Sequence, residues 1–415
     1  MTARKSGRML AVGLVLTTLS AISLLHANPK PSSLPGATLS ELLALVRKFN
    51  PELAAAALDT EAAIDKIVPA GSWDDPTVSL MRDQGFRQTL FTVSQEIPLW
   101  GKLRLREDVA SAAAQGTEAQ QRGIKAEIEE RLKVAFAQYY AADRAIAVTN
   151  DIHGLLHAVA DTARAQYAQG AVTQSDVIRA DLEQARQDIE LAQFEESRDL
   201  AKAKINALIA RSADAPLARP TSLPKIPVGA ALSLPLLMAK AGERNPKLAA
   251  ARAEIAGAEG ERKLAERSWY PDITVTAGTD ALPDMRPQFV GGIGVKVPLQ
   301  LGAHEAQAQS ATAKSGAAQR RLDVARLSTE SEIKAAIAML ARAQRVENLL
   351  GTTLSQQSEA AYNSALGSYR IGRGDLTSVL DAAHKRSEIQ IELLRSQTEA
   401  QMAFAAIERL VGGDI

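Results

Sequence analysis

The sequence predicts a mostly helical chain with a small β part, built from one long unit used twice. Three observations predict it. The chain repeats itself at an offset of about 200 residues: NPELAAAA at 50–57 returns as NPKLAAAR at 245–252, SWDDPTVSL at 72–80 as SWYPDITVT at 268–276, and YAQGAVTQSDV at 167–177 as YRIGRGDLTSV at 369–379. No proline interrupts 99–215 or 299–415, so each copy has room for very long helices. Each proline-free run is preceded by short stretches in which apolar and polar residues alternate, the period of a strand.

The elements follow in order. Thr38 caps a short helix, and Asn50-Pro51 restarts it. Trp73 and Pro76 mark entry into strands, where Val78 and Leu80, then Phe91, Val93, Ile97 and Leu99, alternate with Thr77, Ser79, Thr92, Ser94 and Glu96. Pro98 and Gly101 end the hairpin. From Lys102 to about Gln166 the chain reads as one helix, on the order of 95 Å long. Ile128, Leu132, Ala135, Tyr139, Ala142 and Ile146 step by four and three, the seam of a coiled coil or a helical barrel. Gly170 breaks this helix as a C-terminal cap, and Thr173 and Ser175 can open a return helix to about Arg211.

The second copy repeats each step. Ile273, Val275 and Ala277, then Phe289, Ile293, Val295, Val297 and Leu299, alternate with Thr274, Thr276, Gly278, Val290, Gly292, Gly294 and Lys296. Pro298 and Gly302 make the join, a long helix is expected over about 303–367 with Ile333, Ile337 and Leu340 on its seam, Gly372 ends it, and Thr377 or Ser378 opens the return to about Leu410. The boundaries are then 28–211 for the first repeat, 212–230 for a proline-rich connector and 231–415 for the second repeat.

Residues 1–27 read as a signal peptide: Arg4, Lys5 and Arg8 precede an apolar run at 9–25, and Ala27 offers a small residue for cleavage. An uncleaved anchor is the alternative reading of the same run. No later stretch is long and apolar enough to span a bilayer as a helix, so a membrane crossing would have to use the strands. About ten residues per strand, apolar on one side and polar or glycine on the other, fits a transmembrane β-barrel; a soluble sheet with one wet face would show the same alternation. Four strands cannot close a barrel, and open edges are not tolerated in lipid. Several copies must therefore share one wall if these strands enter a bilayer.

Composition excludes much else. Lys+Arg and Asp+Glu both number 48 in 415 residues, so nothing argues for nucleic acid. Cysteine is absent, which removes disulfides, thiolate metal sites and a lipid anchor on an N-terminal cysteine. No phosphate loop, nucleophile elbow or HExxH motif is present, so the chain is read as no enzyme, with no cofactor and no resident metal. His153 and His157 could share a metal, but four-residue spacing on a helix is also that of ordinary seam or surface groups. Glu127, Glu129, Glu130, Arg131 and Lys133 read as a solvated helix face. At the turns, Asp176, Asp381 and Arg373 stand out. One carboxylate per chain at a helix tip becomes a ring in an oligomer and attracts cations; a helix-start carboxylate favoured by the dipole is the plainer reading of Asp176.

The stretch VSQEIPLWGKLRLRED at 93–108, the paired Y-x-x-G turns and the twofold repeat resemble the TolC-like outer membrane efflux proteins. The Gly-Lys after the strand, with its following arginine, is most similar to the heavy-metal branch of CzcC and CusC type. The resemblance implies a homotrimer in the outer membrane of a Gram-negative bacterium, with four strands per chain in one twelve-stranded barrel continuous with a periplasmic α-helical barrel. Pro98, Gly101, Pro298 and Gly302 would mark the barrel-to-tunnel transition. Tyr167, Gly170, Asp176, Tyr369, Gly372, Arg373 and Asp381 would lie at a periplasmic tip that opens when a periplasmic adaptor and an inner-membrane, proton-driven pump of the RND type dock. The family's lock arginine falls on Gly374, with Arg373 one residue earlier, and one of its ring aspartates falls on Ser378. The cargo implied is heavy-metal cations; drugs or other organic solutes would suit the same duct. A periplasmic adaptor with a coiled-coil hairpin, or a structural coiled coil, are the readings from other classes, and neither requires matching strand hairpins in both repeats.

Overall fold

The computed structural model describes residues 34–83, 88–227, 232–281 and 286–415. The expected signal peptide at 1–27 lies outside them, as do residues 228–230 of the expected connector.

The first half runs α1 (Leu39–Phe49), α2 (Pro51–Asp65), α3 (Ile67–Gly71), β1 (Thr77–Asp83), β2 (Gln88–Ile97), α4 (Lys102–Ala168) and α5 (Gln174–Leu208). The second runs α6 (Leu234–Arg244), α7 (Pro246–Arg267), β3 (Asp272–Ala281), β4 (Gln288–Lys296), α8 (Leu301–Asn348), α9 (Ser355–Arg370) and α10 (Leu376–Val411). The repeated Asn-Pro explains itself in both halves. Asn50 and Asn245 cap α2 and α7 by accepting from the Leu53 and Leu248 amides, each at 3.0 Å. Their side-chain amides then donate to the carbonyls of Leu208 at 2.8 Å and Leu410 at 2.5 Å, at the far ends of α5 and α10. One residue thus starts a short helix and fixes it to the end of the return helix.

At 67 residues, α4 is about 100 Å long. Its expected seam is buried at Ile128, Leu132, Ala135, Tyr139 and Ala142, then passes through Ala145 rather than the half-buried Ile146 and continues through Thr149, Ile152, Leu156 and Val159. Three apolar cores lie along the rods. Leu42 and Val46 of α1 pack with Ile128, Leu132 and Phe136 of α4 and Ile205 of α5. Leu237 and Ala241 of α6 pack in the same way with Ile333, Leu340 and Ile407. The third core joins the far ends of both halves. Alanine supplies many of the buried positions, which lets the rods approach closely.

The second long helix departs from the first. It starts at Leu301, two residues before the expected start, and is interrupted by π-helical turns at Leu349–Leu354 before α9 begins. Pro98 and Pro298 are 200 positions apart, whereas Tyr167 and Tyr369 are 202 apart, so the second rod carries extra residues. The wider turns take them up, and the seam runs from Leu340 and Ala343 through Leu350 within the turns to Tyr362 beyond them. The return helix α10 is capped by Asp375, not by Thr377 or Ser378; the Ser378 hydroxyl donates to the Asp375 carboxylate at 2.5 Å.

All four strands form one antiparallel sheet in the order β1-β2-β3-β4, so β2 and β3 pair across the two halves. The register puts Val78, Val93 and Ala277 in one row, Leu80, Phe91 and Phe289 in another, and Ile97, Ile273 and Val295 in a third, all on one face. Thr92, Ser94, Thr274, Thr276, Gly292 and Gly294 share the other face, where Ser94 and Thr276 are hydrogen bonded at 3.0 Å and Lys296 pairs with Glu96 at 3.2 Å. The apolar face is the more exposed: Leu80 is 72%, Ile293 75% and Phe289 79% accessible. β1 and β4 are the two free edges.

Candidate functional site

Two places on this frame carry the residues singled out above: the join between sheet and rods, and the far tips of the helical hairpins.

At the join, Pro98 stops strand pairing and the chain turns sharply through Trp100 (φ 63°) and Gly101 (φ 74°) into α4. Trp100 holds its left-handed conformation by donating its indole N–H to the Pro271 carbonyl at 3.0 Å. Lys102 is then aimed across the sheet into the second half. Its ammonium donates to both Asp272 oxygens at 2.8 and 2.7 Å and to the Tyr270 carbonyl at 2.8 Å, and Asp272 also accepts from the Leu99 amide at 3.2 Å. Both side chains are largely buried. The pair couples the start of the first long helix to the start of β3. The second join is built differently. Gly302 lies inside the first turn of α8 with ordinary helical backbone, so it does not repeat the role of Gly101. His304 hydrogen bonds there to Ser268 at 3.0 Å, and Ala303 stands where the first join has Lys102.

At the tips, the C-terminal end of α4 turns at Gly170 (φ 72°) and that of α9 at Gly372 (φ 73°). The Asp176 carboxylate accepts from the Thr173 amide at 3.0 Å and its hydroxyl at 2.8 Å, closing a capping box on α5. In the second turn, Arg373 and Gly374 both donate backbone N–H groups to the Ser368 carbonyl, at 2.9 and 3.1 Å. A Cβ at Gly374 would sit 3.1 Å from both the Ser368 side chain and the Tyr369 nitrogen, which accounts for glycine at this position. The Arg373 side chain is exposed, as is Asp381.

The two tyrosines part company. Tyr167 is half exposed, whereas Tyr369 is 2% accessible and packs with Leu376, Val379, Val159 and Ala163 in the tip core. Burial pushes its phenol pKa up, and the charge of Asp176 adds to this. Its hydroxyl has no hydrogen-bond partner among the described residues. Tyr369→Phe should therefore leave the melting temperature of the detergent-solubilised protein unchanged or raise it, while Tyr369→Ala should cost about 3–5 kcal/mol. A direct bond also ties the two hairpins: Arg179 of α5 donates to the Thr377 hydroxyl of α10 at 3.0 Å. Sequence reading missed it, because the partners lie 198 residues apart and Arg179 is matched by Asp381, not by a basic residue, in the other repeat.

Of the charged segment around Lys133, Glu127 and Arg131 lie on an exposed face as expected, paired with each other, but Glu129, Glu130 and Lys133 do not. Glu129 pairs with Arg47 at 2.8 Å, Glu130 with Arg409 at 2.7 Å, and Lys133 with Glu408 at 2.7 Å and Asp414 at 3.3 Å. These bonds tie α1, α4 and α10 together midway along the rods. Burial alone would depress the Lys133 pKa; the hydrogen bond to Glu408 and the charges of Glu408 and Asp414 outweigh it and leave it raised. Glu408 is also raised, by burial first, with Asp414 and Glu129 adding to it against the pull of Lys133. The lysine is thus held charged by its two carboxylate partners, whereas burial is what lifts Glu408. A raised lysine stabilises the fold fully below its unfolded pKa and loses that contribution as pH climbs through the folded value. The melting-temperature advantage of wild type over Lys133→Met should thus be flat from neutral pH to about 10.4 and shrink above it.

His153 lies 3.5 Å from Asp188, and His157 3.1 Å from Asp161. Among the described residues no group of three or more His, Asp or Glu is arranged to hold a metal ion. No described helix is long and apolar enough to cross a membrane.

The sequence model of the outer membrane efflux protein family matches residues 42–211 and 237–413. The chain belongs to that family. It is an outer membrane efflux channel of TolC type, from a family of channel proteins rather than enzymes, and the family places it in the outer membrane. Among curated relatives, the cobalt-zinc-cadmium resistance protein CzcC of Cupriavidus metallidurans is 24% identical over 379 residues, covering 90% of both chains. The fusaric acid resistance protein FusA of Burkholderia cepacia is 26% identical over 207 residues, covering 50% of this chain and 37% of its own length. In fold, the outer-membrane channel OprN superposes with a TM-score of 0.79 over 93% of this chain and 94% of its own, at 18% identity.

Proposed function

We propose that three copies of this chain form a passive exit duct for heavy-metal cations, delivered by a proton-driven inner-membrane pump through a periplasmic adaptor. The observation that carries the reading is the sheet: four strands with an exposed apolar face, a polar inner face and two unpaired edges, joined directly to rods of about 100 Å. Such a sheet is stable in lipid only when β1 of one copy pairs with β4 of the next, and three copies give twelve strands. The likeness to CzcC over nearly its whole length supports metal cations as cargo. The partial likeness to FusA favours the second reading, organic solutes through the same duct.

Purification from outer membranes tests the assembly: a detergent-dependent trimer is expected, and a soluble monomer would overturn it. Deletion of the gene should raise sensitivity to cobalt, zinc or cadmium salts; raised sensitivity to organic compounds alone would transfer the cargo to the second reading.

In this proposal Tyr167, Gly170, Asp176, Tyr369, Gly372, Arg373 and Asp381 form the tip at which the duct closes. Asp381 takes part in no cap, so Asp381→Ala should reduce cation block of single channels without changing stability. Asp176→Ala should also remove a capping box worth about 1 kcal/mol and loosen the tip, raising conductance. Unchanged conductance and block in both variants would remove the tip assignment.

A further inference from the structure

All three tryptophans of this chain lie at one end of the sheet. Trp73 precedes β1, Trp100 follows β2 and Trp269 precedes β3, with Tyr270 beside it. They are exposed to an unusual degree for their size: Trp73 is 60%, Trp100 51%, Tyr270 43% and Trp269 39% accessible. The cluster is ordered. The Trp100 and Tyr270 rings meet with centroids 5.2 Å apart, and the Arg267 guanidinium lies 5.7 Å from the Tyr270 centroid. Arg267 and Arg104 are both exposed, and neither has a carboxylate partner among the described residues. The neighbouring Arg106 and Lys102, by contrast, are paired with Asp74 and Asp272. The apolar face of the sheet begins just beyond, at the row of Ile97, Ile273 and Val295.

This is the level at which acyl chains would give way to headgroups. Amphipathic rings are favoured there, and unpaired guanidinium groups meet phosphate. We propose that Trp73, Trp100 and Tyr270, with Arg267 and Arg104, form a binding surface for anionic glycerophospholipid of the periplasmic leaflet. The rings lie against the glycerol and upper acyl chain, and the arginines hold the phosphate. The unpaired Arg267 beside a tilted ring pair, with Arg104 exposed in the first turn of α4 and the apolar face of the sheet next along the chain, selects this occupant over a second copy of the chain. The proposal rests on the sheet being the membrane-spanning part.

The tryptophans are their own probes, since there are no others. The purified oligomer is placed in phosphatidylcholine nanodiscs containing a minor fraction of brominated phosphatidylglycerol or brominated phosphatidylcholine. Bromines near the glycerol should quench more than bromines near the chain end. Brominated phosphatidylglycerol should be enriched at the site by roughly five-fold per arginine over phosphatidylcholine. Arg267→Gln with Arg104→Gln should abolish that preference and leave the depth profile unchanged. Oligomer that enters nanodiscs with unquenched tryptophans would overturn the surface, and equal quenching by both lipids in wild type would overturn the anionic headgroup. Failure to enter nanodiscs would instead refute the membrane reading of the sheet, and the proposal with it.

Discussion

Lys102→Met is expected to cost about 3–5 kcal/mol and to reduce sharply the yield of assembled channel in the outer membrane. The lysine ammonium is the main counter-charge of Asp272, whose other described contact is one backbone amide. Truncating it leaves a largely buried carboxylate at the root of β3, next to the turn where strand becomes rod. Lys102→Met combined with Asp272→Asn should recover most of the loss, because the cost arises from the stranded charge and not from the missing contact area. Heat-resistance of the oligomer on gels, with thermal melting of the same samples, checks both variants. A double mutant no better than the single one would show that the geometry of the bond, not its charge balance, holds the join.

Gly278→Ala is expected to have a comparable effect from a different cause. A Cβ there would lie 2.2 Å from the Phe91 carbonyl oxygen and 2.9 Å from the Thr92 side chain. The first is backbone of the paired strand, so no rotamer change relieves it. β2 and β3 would have to separate at the one place where the two halves share a sheet. Loss of most membrane-inserted protein is expected, read as the ratio of outer-membrane to aggregated material. The same substitution at Gly292, where a Cβ meets nothing within 4 Å, should insert normally and serves as the control.

The contrast between these two glycines bears on what the sequence could reveal. Alternation located the strands and their faces, because the side chain period of a strand is visible within a few residues. The long rods were legible from missing prolines and the four-three seam, and their stops from Gly170 and Gly372. What stayed hidden were contacts between residues far apart in the chain. Glu129 and Lys133 look like a wet helix face until Arg47 and Glu408 are brought against them. Gly278 and Gly292 occupy similar alternating positions, and only the packing of β2 beside β3 separates them. Duplication itself misled at Gly302, where matching letters occupy different backbone. The difference between the copies was the better signal: Lys102 has no counterpart in the second join, and it proved to be the cross-sheet anchor.

The β2–β3 seam has one more implication, for ancestry. Its pairing is antiparallel, like the pairing inside each hairpin and like the contact proposed between neighbouring chains. To the hydrogen-bond ladder, the boundary between repeats is therefore indistinguishable from a boundary between molecules. A gene half as long could encode the same cylinder from twice as many copies, and fusing two such genes would require only a linker such as the proline-rich segment after Arg211. Fusion then frees each half to diverge, as Lys102 and the π-helical turns have done.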